Sequence, residues 1–312
     1  MPNESINISI IIPAYNEGEN LKNLINKIHQ TFENTNYKNE YEILIINDGS
    51  TDDTETVVMS VLQNYKNLTL VNLKKNIGKA YALDSGIQNA RGNIIATMDA
   101  DLQYKTDDLI KMLEIINKGG DLVNGRREVR KDNNVTKFFS IVYNFILRFV
   151  TRIELNDFFS GIKVFKKEIY NLMDYSGLAR FIIFFSKKYN FKISEIPVNH
   201  FNREKGKTAY SFIDRIILCM KDIFVLIICI LLGKEGVYQI KQVILSAYFL
   251  AFLLLIFGKF IFNNFEVDYL YYTITSFFMF SILNLIIQSF LKSKEKNNSN
   301  LLNNIKSIKK SR

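Results

Sequence analysis

The 312-residue sequence has no tryptophan and only two cysteines, two histidines and three prolines, which excludes several kinds of site. Cys219 and Cys229 lie in an apolar segment without a CxxC pair. A structural zinc site needs four cysteine or histidine ligands at short spacings. His29 and His200 cannot complete such a set, so we expect no zinc. The scarcity of cysteine also fits a reducing compartment.

Two further patterns are missing from the sequence. The first residues carry no basic stretch followed by an apolar core, so we expect no signal peptide. The net charge is +9, but the basic residues are not interleaved with aromatic residues as they are in RNA-binding motifs. We therefore expect no nucleic-acid partner and interpret the basic segment Lys306–Arg312 as attracted to anionic lipid.

Short apolar runs alternate with helix-like stretches over the first 200 residues. The apolar runs are Ile8–Ile12, Ile43–Ile46, Leu68–Leu73, Ile94–Met98 and Leu122–Val123. The helix-like stretches are Glu19–Phe32, Asp52–Tyr65, Lys79–Ala90 and Asp107–Asn117. This alternation predicts an α/β fold with a mostly parallel sheet, and the continuous apolar character of the runs indicates strands buried on both faces.

Polar residues follow three of these predicted strands. They are Pro13–Glu17, Asn47–Thr51 and Asp99–Gln103. Ligands of such sheets bind outside the carboxyl ends of the strands, so we expect a site where these segments meet. Asp48 is suited to accept a hydrogen bond from a base, and Gly49 would let the backbone pass close to a ligand. The alternative is a turn and helix cap in this segment.

Two aspartates, Asp99 and Asp101, follow the fourth apolar run, and Gln103 comes two residues later. Oxygen ligands of this kind suit Mg²⁺ or Mn²⁺, and a cation with few protein ligands usually takes others from phosphate. We expect the metal to bind a diphosphate and to stabilise the charge on it as it leaves. The alternative is an acidic loop that caps the next helix.

The last third of the chain contains two long apolar segments, the first with one charged residue near its end and the second with none. Val243–Phe262 is about twenty residues long with Lys259 near its end, and Tyr269–Leu291 has 23 uncharged residues. Each is long enough to span a hydrocarbon core of about 30 Å. The loop Asn263–Asp268 lacks Lys and Arg, whereas the tail is basic, which predicts a cytoplasmic catalytic domain and a cytoplasmic C-terminus.

The segment before these spans is amphipathic. Phe224–Leu232 is apolar but short, and charged residues interrupt the pattern upstream, so we interpret Ser211–Leu232 as helices lying in the membrane interface. A short third span is the alternative. The predicted organisation is a catalytic domain (1–210), juxtamembrane helices (211–236), two transmembrane helices (237–292) and a basic cytoplasmic tail (293–312).

Four segments resemble glycosyltransferase family 2, which has the GT-A fold. They are SIIIPAYNEGENL, EILIINDGSTDDT, KKNIGKAYALDSGIQNARGNIIATMDADLQ and NGRR, within residues 8–127. The later segments Ser160–Lys163, Glu195–Val198 and Asn202–Thr208, with the two spans, are similar to the branch of dolichol-phosphate mannose synthases and bacterial polyprenyl-phosphate glycosyltransferases. Without tryptophan, the chain lacks the Gln-x-x-Arg-Trp motif of the processive branch.

The resemblance assigns roles by position. It implies a nucleotide-sugar site lined by Pro13, Tyr15, Glu17, Asp48, Asp99, Ala100 and Asp101. It implies metal ligands at Asp99, Asp101 and Gln103. It implies catalytic roles for Asp101, Arg126, Asp157, Ser160 and Arg203. An arginine that the family often carries before its Ser-Gly segment is absent, and Lys163, Lys205 or Lys207 is expected to supply the charge instead.

The expected reaction is inverting transfer of one sugar from a nucleotide-sugar to a polyprenyl phosphate, dolichyl or undecaprenyl. A phosphate acceptor is already ionised, so catalysis rests on positioning and charge neutralisation rather than on a strong base. If the acceptor were a lipid or glycan hydroxyl, Asp157 would be the candidate general base; otherwise it would orient an arginine. A non-catalytic membrane scaffold is the remaining alternative. Membrane lipids are expected partners, and a homo-oligomer is compatible with the sequence.

Overall fold

A computed structural model of the chain describes residues 6–128, 141, 144–145, 147–149, 151–173, 179–201 and 304–311. These residues belong to one compact unit, Met1–Arg215 with Lys296–Arg312. The second unit, Ile216–Glu295, lies outside the described residues, as do the predicted segments 211–236 and 237–292. Within the described part of the chain, no helix is long and apolar enough to cross a membrane.

Strands and helices alternate along the first two thirds of the chain. The strands are β1 (Ile8–Ala14), β2 (Tyr41–Asn47), β3 (Leu68–Leu73), β4 (Ile94–Thr97), β5 (Leu122–Arg127), β6 (Lys163–Lys166), β7 (Ile193–Val198) and β8 (Ile305–Lys310). The helices are α1 (Gly18–Glu33), α2 (Thr54–Val61), α3 (Lys79–Asn89), α4 (Asp107–Asn117), α5 (Lys167–Asn171) and α6 (Ile182–Lys188).

All eight strands form one sheet in the order β7-β5-β6-β4-β1-β2-β3-β8. The pairs β4–β1, β1–β2, β2–β3 and β5–β7 are parallel. Strand β6 runs antiparallel between β4 and β5, and β8 runs antiparallel along β3. The carboxyl ends of β1, β2 and β4 therefore lie at the same edge of the sheet, which is where ligands bind in such folds.

The central strands are apolar because helices cover both of their faces. Ile10, Ile11 and Ile12 of β1 are all fully buried, although successive side chains point to opposite faces. On one face lies α1, whose buried residues recur at helical spacing. These are Leu21, Leu24, Ile25, Ile28 and Phe32. The predicted α/β fold with a mostly parallel sheet is confirmed.

Two strands differ from what the sequence led us to expect. Strand β6 inserts antiparallel into the sheet at Lys163, a position interpreted only as part of a phosphate-binding segment. Residues 305–310, interpreted as part of a basic tail attracted to lipid, instead form β8 on the sheet. The physical reason for β8 is that β3 would otherwise end the sheet with unpaired backbone N–H and C=O groups.

Candidate active site

Loops after β1, β2 and β4 enclose a cavity of about 250 Å³, which we call the carboxylate cavity. It is lined by Pro13, Ala14, Tyr15, Glu17, Asp48, Asn76, Lys79, Asp99, Ala100 and Asp101. All seven residues that the sequence predicted for a nucleotide-sugar site are in this set. The cavity thus combines one aromatic ring, four carboxyl groups and one lysine.

Asp48 is 3% exposed and holds the loop that leads into α3. Its Oδ1 accepts a hydrogen bond from the Ile77 N–H at 2.9 Å, and its Oδ2 accepts one from Gly78 at 2.9 Å. Burial raises the pKa of Asp48, and these two hydrogen bonds oppose that rise. The carboxylate therefore shapes the cavity wall through the protein's own backbone.

Gly49 has a role other than the one expected from the sequence. Its φ is +67°, and a side chain there would overlap the backbone of Lys75 and Asn76. Glycine is needed there because the chain's own loop passes close by. The close approach of a ligand at Gly49 stays a prediction.

The loops after β1 and β2 hold each other in place. The Asn16 N–H donates to Ser50 Oγ at 3.0 Å, and the Thr51 N–H donates to Asn16 Oδ1 at 2.8 Å. The Glu17 N–H donates to Thr54 Oγ1 at 3.0 Å. Asn16 adopts the left-handed conformation, with φ +56°, which asparagine tolerates well. These bonds fix Tyr15 and Glu17 against the Asp48 turn.

Asp99 forms an ion pair with Lys79, the first residue of α3. Burial raises the pKa of Asp99, but the charge and hydrogen bond of Lys79, with the charges of Lys163 and Arg127, outweigh it and hold the pKa below its usual range. A side chain at Gly161 would overlap the Asp99 carboxylate, so glycine is required there. Asp99 is therefore ionised and fixed in position.

The carboxylate cavity fits a hard divalent cation that is bound partly by a ligand. Asp99 and Asp101 both line it, and carboxylate oxygens are the donors that Mg²⁺ and Mn²⁺ prefer. Among the described residues, no group of three or more His, Cys, Asp or Glu side chains is arranged to hold a metal. Two carboxylates alone leave most of the coordination sphere to water and phosphate oxygens.

Gln103, the third predicted metal ligand, points elsewhere. Its Nε2 donates to the Phe201 carbonyl at 2.9 Å, and the Phe201 N–H donates back to the Gln103 carbonyl at 2.8 Å. The Gln103 N–H lies 3.3 Å from Asp101 Oδ1. Gln103 therefore positions the Asp101 turn, and within the described part of the chain it is not among the residues that line the carboxylate cavity.

A second cavity of about 130 Å³, the apolar cavity, adjoins the first. Pro13, Lys79 and Asp99 line both. The remaining lining residues are Leu83, Ile87, Thr97, Met98, Phe159, Ser160, Gly161, Lys163, Phe165, Ala179 and Ile182. Leucine, isoleucine, methionine and phenylalanine side chains form a large part of its walls, and two lysines, a serine and Asp99 supply polar groups.

Lys163 is the most perturbed base of the apolar cavity. Burial lowers its pKa to about 7, an effect that the charge of Asp157 opposes and that of Lys79 reinforces. Its side chain is 8% exposed and donates to the Ser160 carbonyl. A buried lysine that lacks a direct carboxylate partner among the described residues is suited to bind an anion.

Ser160 and Gly161 are positioned by Tyr104. The Gly161 N–H donates to Tyr104 Oη at 2.9 Å, and the Ser160 hydroxyl lies 3.4 Å from it. Burial raises the pKa of Tyr104 to about 12, so this hydroxyl stays protonated. The predicted catalytic residue Ser160 thus faces the apolar cavity from a rigid turn.

Asp157 is paired with Arg127. Arg127 Nε donates to Asp157 Oδ2 at 2.6 Å and Arg127 Nη2 donates to Oδ1 at 2.8 Å, a bidentate arrangement with Asp157 6% exposed. Of the two roles considered for Asp157, general base or orienter of an arginine, this geometry supports the second. Arg126 is half-buried and, within the described part of the chain, is not among the lining residues of either cavity. Arg203, Lys205 and Lys207 lie outside the described residues.

Sequence reasoning did not single out Lys79 or Arg127. Lys79 carries a signal, because the first turn of a helix favours acidic residues and a lysine there opposes the helix dipole. A lysine at this unfavourable position in the first turn of α3 indicates that its charge serves a function other than helix stability. Arg127 carries no local signal, since its partner Asp157 is 30 residues away along the chain.

Comparison with known proteins gives one family and a set of related folds. The family model of glycosyl transferase family 2 matches residues 9–173, which is just over half of the chain. The matched region contains every predicted site residue except Arg203.

Solved structures with the same fold include glucosyl-3-phosphoglycerate synthase from Mycobacterium tuberculosis in complex with Mn²⁺, UDP-glucose and phosphoglyceric acid. It is 16% identical with a TM-score of 0.54, and the match covers 72% of this chain and 79% of that one. A mannosyltransferase from Pyrobaculum calidifontis with GDP-mannose and Mn²⁺ is 20% identical with a TM-score of 0.46, covering 63% of this chain and 56% of that one. The first of these likenesses supports the GT-A fold.

Proposed function

The chain belongs to glycosyl transferase family 2, and on this premise we propose that it transfers one sugar from a nucleotide-sugar to a polyprenyl phosphate. The acceptor would be a dolichyl or undecaprenyl phosphate in a membrane, and the reaction would require Mg²⁺ or Mn²⁺. The enzyme would be anchored by two spans, with its catalytic domain and C-terminus in the cytoplasm.

One observation carries the donor half of this proposal. The seven residues expected around a nucleotide-sugar come from the end of β1 and from the separate loops after β1, β2 and β4, yet all of them line the carboxylate cavity. Tyr15 offers a ring face for stacking, and Lys79 offers a charge for the diphosphate. The amino end of α3 lies beside Lys79, and helix amino termini favour negatively charged ligands.

Asp99 and Asp101 are the residues that would hold the divalent cation. When bound, it would neutralise the diphosphate leaving group as charge develops there. The two solved structures named above contain Mn²⁺ together with a nucleotide-sugar. We propose the same two kinds of ligand for this chain. Asp99 stays ionised in this protein because Lys79 and its other cationic neighbours hold its pKa low.

The apolar cavity supports a phosphate acceptor with a hydrocarbon chain. Lys163 and Ser160 stand at the end that meets Asp99, while Leu83, Ile87 and Phe159 form part of the apolar wall. A phosphate would be bound by the charged end, and the adjoining carbon chain would contact the wall. Because Asp99 lines both cavities, acceptor and donor would meet beside it.

The state of Asp157 favours a phosphate over a hydroxyl acceptor. A hydroxyl must lose its proton to a base, whereas a phosphate oxygen is already ionised and attacks directly. Both oxygens of Asp157 accept hydrogen bonds from Arg127, which makes the carboxylate a weaker base. The protein's contribution is then to position two anions and to neutralise them.

Strand β8 supports the proposed membrane arrangement. Residues 305–310 pair with β3 in the same sheet as the candidate site, so they must lie on the same side of a membrane as that site. The chain between residues 201 and 304 would then cross an even number of times, as two spans do. A third short span, the alternative for Phe224–Leu232, would leave an odd number.

The proposal is tested by sugar transfer in membranes containing the full chain. Labelled nucleotide-sugars with different bases and sugars are supplied with a polyprenyl phosphate and Mg²⁺ or Mn²⁺, and wild type is compared with Asp101→Ala. We expect a labelled lipid that mild acid releases, made only by wild type and lost with chelator. The activity of Asp101→Ala should fall by about 1,000-fold or more.

A parallel reaction with phosphoglyceric acid and with lipid hydroxyls as acceptors separates the alternatives. Product on either of these, with none on polyprenyl phosphate, would overturn the acceptor assignment while leaving the family assignment intact. Donor binding without product on any acceptor would favour the scaffold. Each outcome names a different class of function.

A further inference from the structure

We infer that the C-terminal strand β8 is a positioning element of the donor site, acting through Ser307 on the two loops that enclose the carboxylate cavity. This inference rests on the proposed function, since it concerns how tightly the nucleotide-sugar is held. It assigns a role to residues that follow the matched family region by more than 130 positions.

Strand β8 is attached to β3 along its whole length. The register pairs Thr69 with Lys310 and Asn72 with Ser307. Beyond the strand ends, the Lys74 N–H donates to the Asn304 carbonyl at 2.9 Å and the Ser311 N–H donates to the Leu68 carbonyl at 3.2 Å. Backbone hydrogen bonds between the two segments therefore extend beyond both ends of β8.

Side chains carry this attachment inward from β8. Ser307 Oγ accepts a hydrogen bond from Asn72 Nδ2 at 3.1 Å, and Asn72 Oδ1 accepts one from Asn47 Nδ2 at 2.8 Å. Asn72 and Asn47 are 1% and 4% exposed, so both amides depend on these partners rather than on water. The chain of bonds thus crosses from the sheet edge through β3 to the end of β2.

From Asn47 the bonds enter the candidate site. Asn47 Oδ1 accepts a hydrogen bond from the Ser50 N–H at 3.0 Å, in the turn that contains Asp48. Ser50 Oγ in turn accepts one from the Asn16 N–H at 3.0 Å, in the loop that carries Tyr15. Ser307 is therefore linked by hydrogen bonds to both loops that would hold the nucleoside.

Charged side chains reinforce the same contact. Lys306 and Lys309 of β8 pair with Glu55 at 3.5 and 3.3 Å, and Asn72 Nδ2 donates to Glu55 Oε1 at 3.1 Å. Burial raises the pKa of Glu55, but the two lysines outweigh it and lower the pKa overall. Without β8, Asn72 would lose its bond to Ser307 and Glu55 would lose both lysines, so that among these bonds only those to Glu55 and Asn47 would still hold the Asn72 side chain.

The effect is expected on the donor and not on the acceptor. In the described part of the chain, the residues linked to Ser307 line neither cavity, but Asn16 and Asn47 are chain neighbours of Tyr15, Glu17 and Asp48, which line only the carboxylate cavity. A general loss of stability would lower the folded fraction and so the apparent kcat, with both KM values unchanged. A positioning role predicts a selective change, which is what distinguishes the two explanations.

The test is Ser307→Ala in the full chain, with Ser307→Thr as the conservative variant and Lys310→Ala as the matched control. Lys310 lies on the same strand and is exposed, and its side chain takes no part in the side-chain bonds described. For Ser307→Ala we expect the donor KM and the donor Kd, measured without acceptor, to rise by about 3- to 10-fold. The acceptor KM and kcat should stay within about 2-fold, and Ser307→Thr should restore donor affinity.

Deletion of residues 304–312 gives a second measurement with a larger expected effect. It should raise the donor Kd by more than Ser307→Ala does, with the labelled lipid product still formed at saturating donor. Unchanged donor affinity in both variants would overturn the inference, as would equal changes in donor and acceptor constants. Failure of the proposed function is distinct, because it is read from the absence of lipid product in wild type while donor binding is measured separately.

Discussion

The carboxylate cavity and the apolar cavity share Pro13, Lys79 and Asp99, but the chain builds them in different ways. Residues of the carboxylate cavity follow parallel strands directly: Tyr15 comes one residue after β1 and Asp48 one residue after β2. The apolar cavity depends on β6, which enters the sheet antiparallel, and on the turn before it.

The difference decides how independent the two cavities are. The carboxylate cavity is fixed by hydrogen bonds between neighbouring loops, such as that from Asn16 to Ser50. The turn before β6 is fixed by a separate set of partners on β5 and β7, since Arg127 holds Asp157 and Glu195 accepts a hydrogen bond from the Asn156 N–H at 3.0 Å. We therefore expect changes in that turn to affect stability and acceptor use before they affect donor binding.

The largest expected effect follows from breaking the Arg127–Asp157 pair. Asp157→Asn leaves a buried guanidinium without its charge partner, so the free energy of unfolding should fall by about 3 kcal/mol. Thermal unfolding followed by circular dichroism measures this, and donor affinity should stay within about 2-fold of wild type. The double variant Asp157→Leu with Arg127→Met should recover most of the stability.

The same variant distinguishes the two acceptor classes. If Asp157 were a general base for a hydroxyl acceptor, Asp157→Asn would abolish turnover with little change in stability. Turnover on polyprenyl phosphate that persists in a less stable protein would instead support the role of Asp157 as the residue that orients Arg127.

A somewhat smaller effect is expected from Gly161→Ala. Gly161 packs against Asp99, which lines both cavities. The added methyl group would overlap the Asp99 carboxylate and displace it. Because small misplacements of a reacting group cost about 100-fold in rate, kcat/KM should fall by about that factor. Steady-state transfer assays measure this loss.

Gly119→Asn is the matched control for that variant. Gly119 is exposed, has a φ of +95° and has open space where a side chain would begin. Asparagine tolerates positive φ better than most residues, and Gly119 lines neither cavity in the described part of the chain, so activity should be retained despite local backbone strain. If Gly161→Ala kept full activity, Asp99 would not be the shared point of the two cavities.

The smallest expected effect concerns pH and Lys163. The pKa of this lysine is about 7 in the folded protein against 10.5 for an unperturbed lysine, so the unfolded state binds more protons between these values. Stability contributed by this group therefore rises with pH from about 7 towards 10.5. Between pH 7 and 9 the gain should be about 2 kcal/mol, measured by thermal unfolding.

Lys163→Met should remove that pH dependence, because methionine does not titrate. Lys166→Met is the comparison: Lys166 is half-buried and pairs with Asp121, which raises its pKa instead of lowering it. If the stability of Lys163→Met still rose between pH 7 and 9, another group would be the cause of the pH dependence.

The two cavities also differ in how far the sequence predicted them. The strands β1 to β4 are runs of buried apolar residues, and a local pattern of that kind is enough to place the loops that follow. Strand β6 has only four residues and begins and ends with lysine, so it contains no apolar run from which a strand could be predicted. Its place in the sheet is set by pairing with β4 and β5, which a local pattern does not contain.

The misplaced expectations have the same origin. Gln103 was expected to be a metal ligand because it follows Asp101 at a suitable spacing, but its side-chain amide bonds to Phe201, almost a hundred residues away. The basic segment Lys306–Arg312 was expected to be attracted to lipid, which stays a prediction, but its pairing with β3 was not expected. Lys163 was one of three lysines expected to supply a charge near an acceptor phosphate, and the structure places it in the apolar cavity.

Strand β8 also bears on how the protein folds. The hydrogen bond between Asn72 and Ser307 joins residues 235 positions apart in the sequence, so a very long loop must close before it can form. Contacts of such separation form slowly, and this one cannot form during synthesis until nearly the whole chain has left the ribosome. Until then β3 has an open edge to which another nascent chain could add a strand. Residues 305–310 would thus complete a sheet whose other strands precede residue 201, and premature termination between residues 201 and 304 would leave that edge unprotected.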